Sequence, residues 1–446
     1  MASVSLFLNR LVWGPALVGL MLGVGLVLSV RTGFAQVTLF PAAIRRFFAG
    51  FRRDSDGSFR ALCTALAATV GTGNLVGVAG AIALGGPGAV FWMWVCGFVG
   101  MATKFAEAAL AVRFRTCENG EYLGGPMYMI RMALPKGFHP LGWLYALFGV
   151  LAAFGVGNAT QINALVTGVD RVLEDVGLPA CDWLLGLALA GLIGAVLLGG
   201  AKRIGGTAEV LVPFASLTYL LLACGALILR RQAVPGAFAA IFRGAFDPLA
   251  VTGGLVGSFF VCLRTGISRG VFTNEAGMGT ASIAHACAHG AKPVQQGLMG
   301  IMEVFLDTIV ICTMTALVIL SSGVSIPYGT DAGGSLTTDA FSAVYGPWVR
   351  VLLTLCICCF AFATVLGWGL YGARCAQYLF GPGSYPVFAW CQTAAVMVGA
   401  VLDTGTVWSV AETVNGLMAI PNLITLVFLS GELGKMTKEY KYNMRL

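Results

Sequence analysis

Long runs of apolar residues separated by short polar stretches set the elements of this chain. Runs close to or above the ~18 residues that a bilayer-crossing helix needs fall at about 13–30, 61–84, 89–112, 141–166, 181–198, 210–229, 251–288, 296–320, 349–379, 385–402 and 406–429. They predict eleven membrane-spanning helices. Two of these runs do not read as plain helices. The run 61–84 contains Gly71, Gly73, Gly77 and Gly80, with Thr72 and Asn74 among them. Glycine costs ~1 kcal/mol in a helix relative to alanine, and an amide in hydrocarbon needs a partner. A break here frees N–H and C=O groups at membrane depth, which is tolerated only where they line a cavity or are buried in protein. The segment 263–279 has the same character: Gly266, Gly270, Gly277 and Gly279 are interleaved with Arg264, Arg269, Asn274 and Glu275.

Composition agrees with a polytopic all-α membrane protein: 58% of residues are hydrophobic, only 11% are charged, and the mean hydropathy is +0.85. Soluble domains carry about 25% charged residues. The net charge of +7 does not point to nucleic acid, because the basic residues form no single patch. The 13 cysteines lie mostly in apolar runs, and their one cluster, Cys356, Cys358 and Cys359, has no nearby histidine to complete a metal site. The first apolar run is longer than the core of a signal peptide and only Arg10 precedes it, so it reads as a retained helix.

Eleven spans put the termini on opposite sides. With the N-terminus outside, inside loops hold 18 of the 27 basic residues, including Arg45, Arg46, Arg52, Arg53, Lys202, Arg203, Lys435, Lys438 and Arg445, while Asp175, Asp182, Asp331 and Asp403 fall outside. The positive-inside rule therefore gives N-out, C-in. The two interrupted runs are five spans apart and start from opposite sides. This is the pattern of an inverted repeat built from two five-helix units. It divides the chain into an extra N-terminal helix with its basic loop (1–60), a first unit (61–235), a second unit (236–430) and a basic tail (431–446).

The chemistry of such breaks is direct. The start of the half-helix after a break presents unpaired N–H groups and a positive dipole end, so backbone near Gly73 and Asn74 suits a carboxylate. Unwound carbonyls and half-helix C-termini suit cations. A zwitterionic amino acid with a coupling cation meets both conditions.

Sequence segments along almost the whole chain carry a resemblance. They are 71–74 (GTGN), 81–89 (AIALGGPGA), 91–94 (FWMW), 100–107 (GMATKFAE), 124–128 (GGPMY), 272–277 (FTNEAG), 283–285 (IAH), 307–318 (DTIVICTMTALV), 360–368 (FAFATVLGW) and 415–422 (NGLMAIPN). The chain resembles the alanine/glycine:cation symporters, also called sodium:alanine symporters, which have a LeuT-type fold. The resemblance implies import of alanine, glycine or similar small neutral amino acids through the cell membrane, driven by Na⁺ or, in some members, H⁺. It carries Thr72, Gly73 and Asn74 to substrate contact and Gln161 to the substrate amino group. Thr273 and Asn274 at the second break join them, and Phe272 and Trp368 look like apolar walls that limit side-chain size. Thr364, with carbonyls of Val70 and Gly73, is the implied Na⁺ site. Ala363 stands where the family is expected to have serine, which removes one oxygen from that site.

Each reading has a plainer one beside it. Small residues at 71–74 also serve close helix packing, Gln161 also serves interhelical hydrogen bonding, and aromatic residues in spans mostly pack. Glu275 either acts in function, ties freed N–H groups or pairs with Arg264 or Arg269. Glu107, Glu209, Glu303, Asp307 and Glu412 read as structural or gating charges, and His285 and His289 as packing or interfacial residues rather than a proton relay. An intramembrane enzyme is disfavoured, with no His-Glu-x-x-His, no nucleophile elbow and only three histidines. A channel would carry a filter motif instead of paired breaks. An H⁺-coupled symporter, or a transporter of another small zwitterion, remains the alternative. No obligate protein partner is evident.

Overall fold

The computed structural model describes residues 12–444, apart from 119, 257, 331–333 and 402–404. Arg10, Asp331, Asp403 and Arg445, which enter the topology reading, lie outside the described residues. The chain is helical almost throughout. Helix α1 (Pro15–Arg31) and the amphipathic α2 (Phe40–Arg52) precede the first interrupted pair, α3 (Ser58–Thr69) and α4 (Val78–Gly85), joined through a π-wound turn at Gly73–Gly77. Next come α5 (Ala89–Arg113), a two-stranded antiparallel hairpin of β1 (Thr116–Glu118) and β2 (Glu121–Leu123), and the short α6 (Pro126–Ala133). Helices α7 (His139–Phe154) and α8 (Thr160–Asp175) form one long span through a second π-turn at Gly155–Ala159. The first half closes with α9 (Asp182–Leu197) and α10 (Gly200–Leu229).

Helix α11 (Val234–Phe246) leads to the second interrupted pair, α12 (Phe259–Asn274) and α13 (Thr280–Ala286). Helix α14 (Pro293–Val304) runs through a long π-wound stretch, Phe305–Cys312, into α15 (Thr313–Ser321). The chain ends with α16 (Ser335–Tyr345), α17 (Val349–Phe380), α18 (Ser384–Val401) and α19 (Gly405–Asn443).

Among the described residues, seven helical segments are long and apolar enough to cross a membrane, and the bent pair α3/α4 adds an eighth. The other three predicted spans correspond to α1, α9 and the pair α12/α13, each too short by itself to pass that length criterion. Helix shortening at the second break accounts for the last of these.

Burial sorts the spans into core and lipid-facing elements. In α5, 83% of the apolar window is inside the protein, against 28% in α10, whose Val210, Phe214, Leu217 and Leu221 face outward. Lipid is as apolar as leucine, so an outward belt of this kind carries no penalty in a bilayer. Helix α5 is instead the central post, packed against α1, α12, α13 and α14. Small residues allow those close approaches: a Cβ on Gly266 of α12 would lie 2.3 Å from the Ala89 carbonyl oxygen, and one on Gly300 of α14 would lie 2.6 Å from that of Lys104.

Candidate functional site between two helix breaks

The first break turns the chain by 53°. Helix α3 ends at Thr69, Val70 adopts an extended conformation, and Gly71 and Thr72 lead into the π-turn. The freed N–H of Gly71 donates to Asn74 Oδ1 at 3.0 Å. At the second break Glu275 takes a left-handed conformation (φ 50°), as do Gly277 and Gly279. That conformation costs a non-glycine residue roughly 1–2 kcal/mol, so contacts must hold it. Asn274 Oδ1 accepts from Ala276 N at 3.0 Å, and Glu107 Oε1 on α5 accepts from Gly277 N at 2.9 Å and Gly279 N at 3.0 Å. Asn422 Nδ2 donates to the same Glu107 oxygen and to the Gly277 carbonyl. Both breaks are thus capped by an asparagine, and backbone groups freed inside the protein find partners.

The breaks meet at the π-wound stretch of α14/α15. Asn74 Nδ2 donates to Asp307 Oδ1 at 2.7 Å, and the Thr308 hydroxyl donates to Asp307 Oδ2 at 2.8 Å. Asn274 Nδ2 donates to Thr308 Oγ1 at 3.2 Å, and the Thr273 and Thr308 hydroxyls are 3.5 Å apart. All five side chains are buried, and Asp307 makes no ion pair among the described residues. The buried carboxylate is held by an amide N–H and a hydroxyl, and its oxygens with those of Thr308 and Thr273 are hard donors of the kind that suit a hard cation. π-Wound segments of this kind often mark functional positions.

On the other side of the first break, Thr72 donates through its hydroxyl to Gln161 Oε1 at 3.1 Å, while Gln161 Nε2 donates to the Val156 carbonyl at 3.2 Å. Gly71 has no room for a side chain: a Cβ there would stand 2.9 Å from Thr364 Oγ1 and 3.7 Å from Gln161 Oε1. Gly71, Thr72, Gln161 and Thr364 therefore converge on one point. A cavity of about 420 Å³ reaches Thr72, the one of these four that lines it, with Leu75 beside Thr72 at its base and Arg171, Asp175 and Arg350 towards its mouth. Asp175 and Arg350 form an exposed ion pair at 3.4 Å. A second cavity of about 490 Å³ enters from the opposite end, lined by Arg60, Thr64, Glu121, Lys202 and Arg374, and does not include the break residues. Between the two, Gly367 packs on Ala68 and the fully buried Trp368 packs on Gly157.

The predicted site residues thus fall in three places. Thr72, Gln161 and Thr364 gather around Gly71, with Val70 the residue before it. Asn74, Thr273 and Asn274 turn away to Asp307 and Thr308. Gly73 sits between, its Cα facing Phe272 and Thr273; a Cβ there would be 3.7 Å from the Phe272 ring. Trp368 is one helical turn beyond Thr364, and its indole Nε1 has no hydrogen-bond partner among the described residues.

Several readings of charged residues need correction. Glu275 pairs with neither Arg264 nor Arg269, which lie further back along α12; its Oε2 accepts from the Thr280 hydroxyl at 2.6 Å. The freed amides are held by Glu107 and Asn274 instead. His285 is not interfacial: it is fully buried, with Nε2 3.0 Å from Glu303 Oε2 and Nδ1 2.6 Å from Gln296 Nε2. Glu303 also pairs with the buried Lys104 at 2.8 Å. Asp307, read as structural or gating, stands where both breaks meet. Its signal in the sequence was a carboxylate beside a threonine in mid-span.

Comparison with known proteins supports the fold. The fold is similar to that of MhsT, solved in complex with L-phenylalanine, with a TM-score of 0.55 at 14% identity, covering 85% of this chain and 97% of MhsT. The molecule is a multi-pass membrane transporter of LeuT-type fold, and not an enzyme. The model of the sodium:alanine symporter family matches residues 1–445, and the chain belongs to that family. Sodium/alanine symporter AgcS of Methanococcus maripaludis is 43% identical over 97% of this chain and 95% of its own. Probable sodium/glutamine symporter GlnT of Bacillus subtilis is 34% identical over 97% and 89%, respectively. Putative sodium/proton-dependent alanine carrier protein YrbD of the same bacterium is 31% identical over 97% and 91%.

Proposed function

We propose that this protein imports a small neutral amino acid, alanine or glycine, together with Na⁺, by alternating access between the two cavities. The two five-helix units, 61–235 and 236–430, form the inverted repeat, with 1–60 as the added helix and basic loop and 431–446 as the basic tail. The N-terminus is outside and the C-terminus inside. The observation that carries the reading is the convergence of Gly71, Thr72, Gln161 and Thr364 where the half-helix after the first break begins, with Thr72 also lining a cavity. The substrate carboxylate meets backbone N–H groups at Thr72 and Gly73, next to Asn74, and its ammonium meets Gln161 Oε1, which now accepts from Thr72. Phe272 and Trp368 bound the side-chain space.

Oxygen ligands for Na⁺ stand on both sides of the break: Thr364 with the Val70 and Gly73 carbonyls, and Asp307 with the Thr308 and Thr273 hydroxyls. Asp307 also favours a second reading. A buried carboxylate can carry a proton across the membrane, and a relative is named as sodium/proton-dependent.

Equilibrium binding of radiolabelled alanine to the purified protein tests the site. Binding is expected in NaCl, weak in KCl, and lost in Thr72→Val and Gln161→Leu. Equal binding in both salts removes the Na⁺ coupling, and undiminished binding in both variants removes the site.

A further inference from the structure

A third cavity, of about 240 Å³, lies apart from the two that lead towards the first break. Its walls come from α12, α19, the end of α4 and the residues leading into α1. Arg264, Thr265, Ser268 and Arg269 line it from α12, Glu412 from α19, and Trp13 and Phe272 supply aromatic surface. Trp13 Nε1 donates to the Glu412 carbonyl at 3.0 Å, which fixes the two outer walls together. Among the described residues, no hydrogen bond or ion pair engages the side chains of Arg264, Arg269, Thr265 or Ser268.

This is an unusual balance for a transmembrane helix. An arginine within the membrane zone is expensive unless it is paired or snorkels to water, and Arg269 is half-buried, less than two turns above the break. The cavity presents two guanidinium groups and two hydroxyls to a single carboxylate. Among the described residues that line it one positive charge is left over, together with N–H and O–H donors that make no hydrogen bond to a described residue. Guanidinium forks match planar or tetrahedral oxyanions with paired hydrogen bonds.

We infer that this cavity is an oxyanion site: Arg264 and Arg269, with the Thr265 and Ser268 hydroxyls, hold a carboxylate or phosphate group above Phe272. The volume admits a small free anion or the phosphate of one lipid headgroup. The site has a route to the transport machinery, because its floor is the Phe272 ring that also packs beside Gly73. An anion in place buttresses that ring and stiffens the second half-helix against the first.

The test uses the full-length protein in nanodiscs and reads thermal unfolding, so it is independent of transport. In one arm, zwitterionic nanodiscs receive sodium acetate, sodium phosphate or sodium chloride at equal ionic strength. In the other, phosphatidylglycerol replaces part of the lipid. A rise in Tm with acetate or phosphate but not chloride supports a free oxyanion; a rise only with phosphatidylglycerol supports a lipid phosphate. In either case Arg269→Gln and the more exposed Arg264→Gln weaken the response about tenfold in apparent affinity, and Ser268→Ala weakens it less. Arg264→Gln gives the answer if Arg269→Gln does not fold. The inference is overturned if no arm shifts Tm, if chloride acts as well as the oxyanions, or if the folded variants respond like the parent protein.

Discussion

Replacing Asp307 with asparagine isolates charge from shape at the meeting point of the two breaks. The carboxylate oxygens accept from Asn74 Nδ2 at 2.7 Å and from the Thr308 hydroxyl at 2.8 Å. Asparagine fills the same volume but accepts through one oxygen only, so its NH₂ group faces either the Asn74 amide or the Thr308 hydroxyl. The hydroxyl can turn to accept, which keeps the local cost near ~1 kcal/mol. The larger effect is on a bound cation. A unit charge about 4 Å from the carboxylate, at an effective dielectric of 20, gains ~4 kcal/mol, or on the order of 10³ in affinity. The amide oxygen retains part of this, so the Na⁺ concentration for half-maximal alanine uptake is expected to rise by about 10² or more. Reconstituted vesicles with a Na⁺ titration at fixed alanine provide the assay. An unchanged half-saturating Na⁺ concentration in a folded, correctly inserted Asp307→Asn protein refutes the cation role. If uptake instead keeps its Na⁺ dependence but loses stimulation by an inward pH gradient, Asp307 carries the proton of the alternative reading.

Four further substitutions follow from the geometry. Gly71→Ala puts a methyl group 2.9 Å from Thr364 Oγ1, so uptake should be lost while size-exclusion behaviour and Tm stay near those of the parent; full activity would show that this point is not the site. Thr364→Ala should raise the Na⁺ requirement, and an unaltered Na⁺ titration would remove Thr364 from the cation site. Trp368→Leu should admit larger amino acids in a competition panel, at a stability cost within the ~3–5 kcal/mol seen for truncating large buried aromatics; unchanged selectivity would make Trp368 a packing residue only. Lys104→Met leaves Glu303 with His285 as its remaining partner in a buried site, so a loss of about 3–5 kcal/mol is expected, visible as a lower Tm, with partial recovery in Lys104→Met/Glu303→Gln. No difference in Tm would mean that water reaches this pair.

Much of the architecture was legible in the sequence because lipid imposes a simple rule. Every run long enough to span shows as apolar, and every departure from that pattern must be satisfied inside the protein. Gly71–Asn74 and Phe272–Gly279 stand out for that reason, and both are breaks. The partners of the breaks were less legible. Glu107 and Asn422 are 315 positions apart and meet on one oxygen; neither spacing nor periodicity reveals such a pair. Asp307 was visible as a rare charge, but its place between Asn74 and Thr308 follows from helix packing and from the π-wound stretch, whose extra residue per turn no apolar pattern records. His285 read as a packing or interfacial residue for the same reason, since a buried network and an interfacial side chain have similar local sequences. Trp368 and Thr364 share a helical face, as their four-residue spacing requires, yet only Thr364 faces Gly71 directly.

Uptake of radiolabelled alanine into proteoliposomes under imposed gradients bears most directly on the transport reading. With Na⁺ outside and K⁺ inside, alanine should accumulate above its external concentration, collapse when the Na⁺ gradient is dissipated, and be competed by glycine. Equilibration without accumulation, at the same rate whether the external cation is Na⁺ or K⁺, would contradict Na⁺-coupled symport.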